Sequence, residues 1–77
     1  MITIEEFINK FAEQFEMTAP SEFKPETHFK DLEEWDSLIA LSIIGMVHNT
    51  YNVKLLGVDV RNSVTVNDVY NLVVSKM

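Results

Sequence analysis

Cysteine is absent from this chain of 77 residues, which excludes a disulfide framework, a thiolate zinc site and any thiol chemistry of its own. Any thiol it uses must be brought in. Glycine and proline are scarce, two of each, and 47% of the residues are hydrophobic, which is the composition of a folding chain and not of a disordered one. Basic residues are also few. Six of them against twelve acids leave a formal charge of -6, which repels nucleic-acid phosphates and anionic lipid headgroups. Neither nucleic acid nor a membrane surface is therefore an expected partner. The longest apolar run, Leu38 to Val47, is about half of the ~20 residues that span a bilayer, and the opening MITIEEF has acids where a signal peptide has its basic segment. A soluble, cytoplasmic, monomeric protein is the expectation. A chain this short makes one domain over residues 1–77 with a small core, leaving little volume for a deep active site. Binding or carrying fits it better than catalysis.

What is present reads as helix. Thr3 and Glu6 form the T-x-x-E capping box, with Ile2 and Phe7 at the spacing of a hydrophobic staple. Behind them Ile4, Phe7, Ile8, Phe11, Ala12 and Phe15 recur every three or four residues, predicting an amphipathic helix from Ile4 to about Glu16 whose phenylalanines pack a core. From Met17 to Asp36 the period is lost, and Pro20 and Pro25 bar helical geometry before them. This long loop should be pinned by Phe23, Phe29, Leu32 and Trp35, and a short helical turn fits within it. Asp36 then caps a second helix that starts at Ser37 and runs to about Asn49 or Thr50. That helix is apolar on two faces: Ile43, Ile44 and Val47 suit a buried seam, while Leu38, Leu41 and Gly45 line up on another face open to a partner or ligand. In NVKLLGVDVRNSV the branched residues favour a strand, but the segment is too short and interrupted to supply a sheet, so a helix or turn is expected. Thr65 and Asp68 suggest a capping box for a last helix from Val66 to about Ser75. The fold class is all-α: a four-helix bundle of three longer helices and one short one, with a long loop between the first and second.

Ser37 is the residue that could carry chemistry. A self-contained Ser-His-Asp arrangement fails on geometry, because His48 lies ~16 Å along the same helix from Ser37, and nothing supplies an oxyanion hole for His28 to work with. Both histidines read as surface residues. The acid pairs Glu5-Glu6 and Glu33-Glu34 lack the spacing of a calcium loop and read as solvated charge; no metal site is indicated. Attachment is different. A serine in the first turn of a helix points its hydroxyl to solvent, and a phosphate joined to it lies against the positive end of the helix. An Asp-Ser pair alone marks a helix start and nothing more. Its context here gives it a further meaning.

Asp36, Ser37 and Leu38, opening the second helix, resemble the signature of the acyl carrier proteins. The resemblance extends to the first helix, the long loop, the F-x-x-L-x-x-W run of Phe29, Leu32 and Trp35, Tyr51 and Val53 after the second helix, and Thr65-Val66 opening the last. Size and acidity agree as well. The family's fold is a four-helix bundle. The resemblance implies a carrier with no enzymatic activity of its own, modified on Ser37 with 4'-phosphopantetheine by a separate phosphopantetheinyl transferase that uses coenzyme A. Acyl groups would ride on that arm as thioesters, delivered by acyl-loading enzymes and presented to acyl-processing ones. Asp36 would position the site for the transferase, and Leu38, Leu41, Ser42 and Gly45 would meet partners. Residues around Ile43, Ile44 and Val47 would line a shelter for the acyl chain. Gly45 also has a cost, since a mid-helix glycine loses ~1 kcal/mol relative to alanine, so a close neighbour or a partner's surface is expected there.

One departure from the family pattern is plain. Carriers of bacterial fatty-acid synthesis show acids along the second helix, whereas no acid lies between Ser37 and Val58 here. Residues 1–36 hold ten acids and three lysines, net -7, and residues 37–77 hold two acids and three bases, net +1. A stand-alone carrier for a specialised pathway, such as polyketide-like, modified-lipid or envelope biosynthesis, is therefore expected. An amino-acid or aryl carrier of the same fold remains open, as does a helical interaction module with no prosthetic group.

Overall fold

The structure is a computed structural model that describes residues 2–77. Among these residues the chain forms α1 (Ile4–Ala12), α2 (Ser37–Tyr51), α3 (Gly57–Asn62) and α4 (Val66–Lys76), with single 3-10 turns at Pro20–Glu22 and Phe29–Asp31 in the long loop and no strand. Three longer helices and a short fourth agree with expectation, as does the helix in the ambiguous stretch after Asn52. α1 packs on α4 and α2, and α3 packs on α2 and α4.

The starts of the helices lie where their caps put them. Thr3 Oγ1 accepts from the Glu6 N–H at 3.1 Å, which is one half of the expected box. Asp36 Oδ1 accepts from the Ile39 N–H at 2.9 Å, and at Thr65 both halves form: its hydroxyl accepts from Asp68 N–H, and the Asp68 carboxylate accepts from Thr65 N–H. The Asp68 carboxylate also accepts from Val64 N–H. These N–H groups, with the Thr65 hydroxyl and His28 helping, hold its carboxyl below the ordinary aspartate range against the opposing effect of desolvation. α3 lacks a polar cap residue, because Leu56 has no side-chain acceptor, and only the return bond from Leu56 N–H to Asp59 exists. Each arrangement satisfies a donor that the helix itself leaves unpaired.

The end of α1 departs from expectation. The helix stops at Ala12 instead of about Glu16, and the chain tightens to three-residue spacing, with Gln14 N–H bonded to Phe11 O at 3.1 Å and Phe15 N–H to Ala12 O at 3.0 Å. The cause is a competing acceptor. Glu34 takes the N–H groups of Glu16 at 2.6 Å and of Met17 and Thr18 at 2.9 Å, together with the Thr18 hydroxyl. One carboxylate thus replaces the helical carbonyls. Glu34 is accordingly not the solvated charge its sequence position suggests.

Aromatic packing holds the rest. Phe11 is fully buried, with ring centroids 5.9 Å from Phe7, 5.8 Å from Phe15, 6.1 Å from Phe23 and 5.3 Å from Phe29. Two of those partners belong to α1 or its tail and two to the loop. The loop also closes over the start of α4, where Thr27 O and Pro25 O accept the first N–H groups, those of Val66 and Asn67. It is pinned as expected, by side chains and by backbone. α2 ends at Asn52, whose left-handed backbone (φ 56°) lets its N–H reach His48 O at 2.9 Å.

Candidate functional site

Ser37 is the first residue of α2, and the fold brings it to the surface for a simple reason. Asp36 spends its side chain on the Ile39 N–H, so the helix begins without help from the serine, whose hydroxyl makes no hydrogen bond among the described residues. Ser37 and Asp36 are exposed, and no acid stands in the first turn of α2. An anion joined to Ser37 would meet the positive end of the helix without a competing carboxylate in that turn.

The two faces of α2 separate as its apolar pattern requires. Ile39, Ile43, Met46 and Val47 are buried in the core, while Leu38 is 71% and Leu41 63% exposed. Large leucines at that exposure contribute little to folding. The expected shelter is displaced, however. Ile43 and Val47 are fully buried and line no groove; Ile44 does, because one residue of helix turns the side chain by about 100°. Ser37, Ala40, Leu41 and Ile44 share one stripe, and with Trp35, Val60 and their neighbours they line a groove of about 400 Å³ between α2 and α3. Its walls are mostly apolar, with Lys30 and Arg61 as the charged members.

On the other side of the helix start, Leu38, Ile39 and Ser42 border a more polar hollow of about 280 Å³ with Gln14, Glu16, Glu34 and Asp36. The expected partner-facing set is therefore divided: Leu41 belongs with the α3 groove, Leu38 and Ser42 with the acidic flank. The largest hollow, about 520 Å³, lies along the loop between Met17 and Glu34 and does not reach Ser37. Gly45 is the clearest difference from expectation. A Cβ built there meets nothing within 4 Å, so no element of this chain packs closely enough to require glycine.

The remaining polar candidates fall away from Ser37. His28 sits in the loop against Asp31 at 3.7 Å, both well exposed, and His48 is in the same helix as Ser37, eleven residues on. Among the described residues no three His, Cys, Asp or Glu side chains gather as a metal site, and no helix is long and apolar enough to cross a membrane.

The sequence pattern did not reveal Glu34, Lys30 or Arg61 as neighbours of the site. Lys30 Nζ donates to Arg61 O at 2.6 Å across 31 positions of sequence. Glu34 had one available signal, its place two residues before the cap. Desolvation alone would raise its pKa, but the N–H groups of Met17, Glu16 and Thr18 and the Thr18 hydroxyl hold it below the ordinary glutamate value. No family model matches the chain, and neither a curated protein nor a solved structure is found to match it.

Proposed function

We propose that this chain is a stand-alone acyl carrier protein, holding acyl intermediates as thioesters on a 4'-phosphopantetheine arm attached to Ser37. The observation that carries the proposal is an exposed serine hydroxyl, uncommitted to any bond in the chain, at the mouth of a helix capped by its neighbour and beside an apolar groove. The residues suit the group. The start of α2 welcomes a phosphodiester electrostatically, and the groove offers apolar walls to what the arm carries.

Attachment is a phosphoryl transfer performed by a separate transferase. Ser37 Oγ forms a new P–O bond to the pantetheine-bearing phosphorus of coenzyme A, the pyrophosphate P–O bond breaks, adenosine bisphosphate leaves, and the hydroxyl proton passes to a base of the transferase. The arm supplies the thiol that this sequence lacks. This chain's residues then have limited tasks: Asp36 fixes the helix start, and Leu38, Leu41 and Ser42 face the enzymes that load and process the cargo. With no acid from Ser37 to Val58, α2 offers little to a basic enzyme patch, which favours a specialised pathway over ordinary fatty-acid synthesis.

The test is incubation with coenzyme A, magnesium and a broad-specificity phosphopantetheinyl transferase, read by intact mass. Wild type should gain one phosphopantetheine and Ser37→Ala none. A wild type left unmodified by several transferases would favour an interaction module built on the exposed Leu38 and Leu41.

A further inference from the structure

The groove beside Ser37 has a charge unlike that of the rest of the chain. Only six residues are basic, yet two of the six, Lys30 and Arg61, line this groove and no acid does. The other two hollows have the opposite character: one carries Glu22, Glu33 and Glu34, the other Glu16, Glu34 and Asp36, and neither has a base. Lys30 is held in place, since its bond to the Arg61 carbonyl ties the loop to the last turn of α3. Among the described residues neither Lys30 nor Arg61 pairs with a carboxylate; the ion pairs there are His28 with Asp31 and Lys76 with Asp59.

Two cations without counter-ions, set on an apolar wall in an acidic protein, complement a ligand that is apolar along its length and negative at one end. We propose that the groove holds the cargo and selects it by sign, accepting an acyl group whose far end is a carboxylate and disfavouring one that ends in an ammonium. The proposal rests on attachment at Ser37 and names the substrate class for that site: half-thioesters of dicarboxylic acids. Methylenes lie against Ala40, Leu41, Ile44 and Val60, the guanidinium of Arg61 offers a fork to the carboxylate, and the ammonium of Lys30 has donors left after its one bond. An amino-acid cargo would bring its ammonium toward two like charges. A neutral chain gains only the apolar wall.

The experiment transfers three arms of equal acyl length onto Ser37 from the corresponding acyl-coenzyme A donors: ω-carboxyacyl, neutral and ω-aminoacyl. The phosphodiester is common to all three and cancels from the comparison. Intact mass registers attachment. Trp35, the sole tryptophan, lines the groove and reports its occupancy by emission, and the amide resonances of Val60 and Arg61 report it independently. The carboxylate form should perturb all three reporters most and the amino form no more than the unacylated arm, with a ratio of groove-bound populations of about five or more, ~1 kcal/mol. In Lys30→Gln/Arg61→Gln the carboxylate form should fall to the level of the neutral one. Arg61→Gln alone leaves the Lys30 bond to the backbone carbonyl in place, and should lower the preference even where the double variant folds poorly. Equal perturbation by the three cargoes, or a preference that survives both variants, overturns the sign selection while attachment stands. Absence of any mass gain takes down both.

Discussion

The long loop and the helix that follows it have exchanged the roles their secondary structure suggests. The loop between α1 and α2 has only two single 3-10 turns, yet it sends Phe23 and Phe29 into the core, lends carbonyls to the start of α4 and is fastened to the tail of α1 by Glu34. α2 is regular over fifteen residues, yet it leaves Leu38 and Leu41 largely in water. The difference teaches that regularity and commitment to the interior are separate properties. Here the irregular segment is structural, and the regular one presents the working surface.

The sharpest way to test that contrast is to truncate one residue in each region. Phe29→Ala empties a fully buried site between Phe11 and Trp35, and such changes typically cost ~3 to 5 kcal/mol, while Leu41→Ala on the exposed stripe should stay within ~0.5 kcal/mol. Denaturant unfolding of the two variants measures both. A small domain has roughly 5 to 15 kcal/mol to lose, so Phe29→Ala should be near the edge of folding. Equal losses would show that α2 and not the loop holds the core.

Acidification should unfasten the loop selectively. Glu34 and Asp68 both have folded-state pKa values below their unfolded ones, so each contributes stability that is fully present above the ordinary carboxylate range and is lost as pH falls through the lowered folded value. Melting temperature should therefore hold from neutral pH down to about 5 and decline below about 4. In Glu34→Gln that decline should shrink, and the amides of Glu16, Met17 and Thr18 should lose protection from hydrogen exchange at neutral pH. If those three amides exchange at the wild-type rate in Glu34→Gln, Glu34 is not what ends α1.

The smallest effect belongs to Gly45. Because a Cβ there meets open space, Gly45→Ala should stabilise α2 by up to ~1 kcal/mol, seen as a higher denaturant midpoint with unchanged slope. A loss of stability would mean that a neighbour comes closer than the static packing indicates. A gain in stability joined to poorer handling by a loading enzyme would assign the glycine to a partner's surface.

Helix starts were legible in the sequence because a cap is local: Thr3, Asp36 and Thr65 each act on a residue three positions on, at a distance the backbone itself fixes. The same locality made the exposed leucines visible as a second stripe on α2, and Ser37 as the hydroxyl at its mouth. Where α1 ends was not legible, since its stop depends on a carboxylate 16 to 18 positions away that competes for its N–H groups. Nor was the groove. Periodicity could say that Ile43 and Ile44 point in different directions, but only the docking of α3 decided which of them would be sealed in the core and which would line an opening with Arg61. Sequence by itself determined the helices, their caps, the acidic balance and the candidate attachment residue, all set by neighbours within a turn or by composition. Tertiary structure decided what stands beside Ser37, because Lys30 and Arg61 are brought together by the closure of a chain across 31 positions, and no local rule carries over that distance.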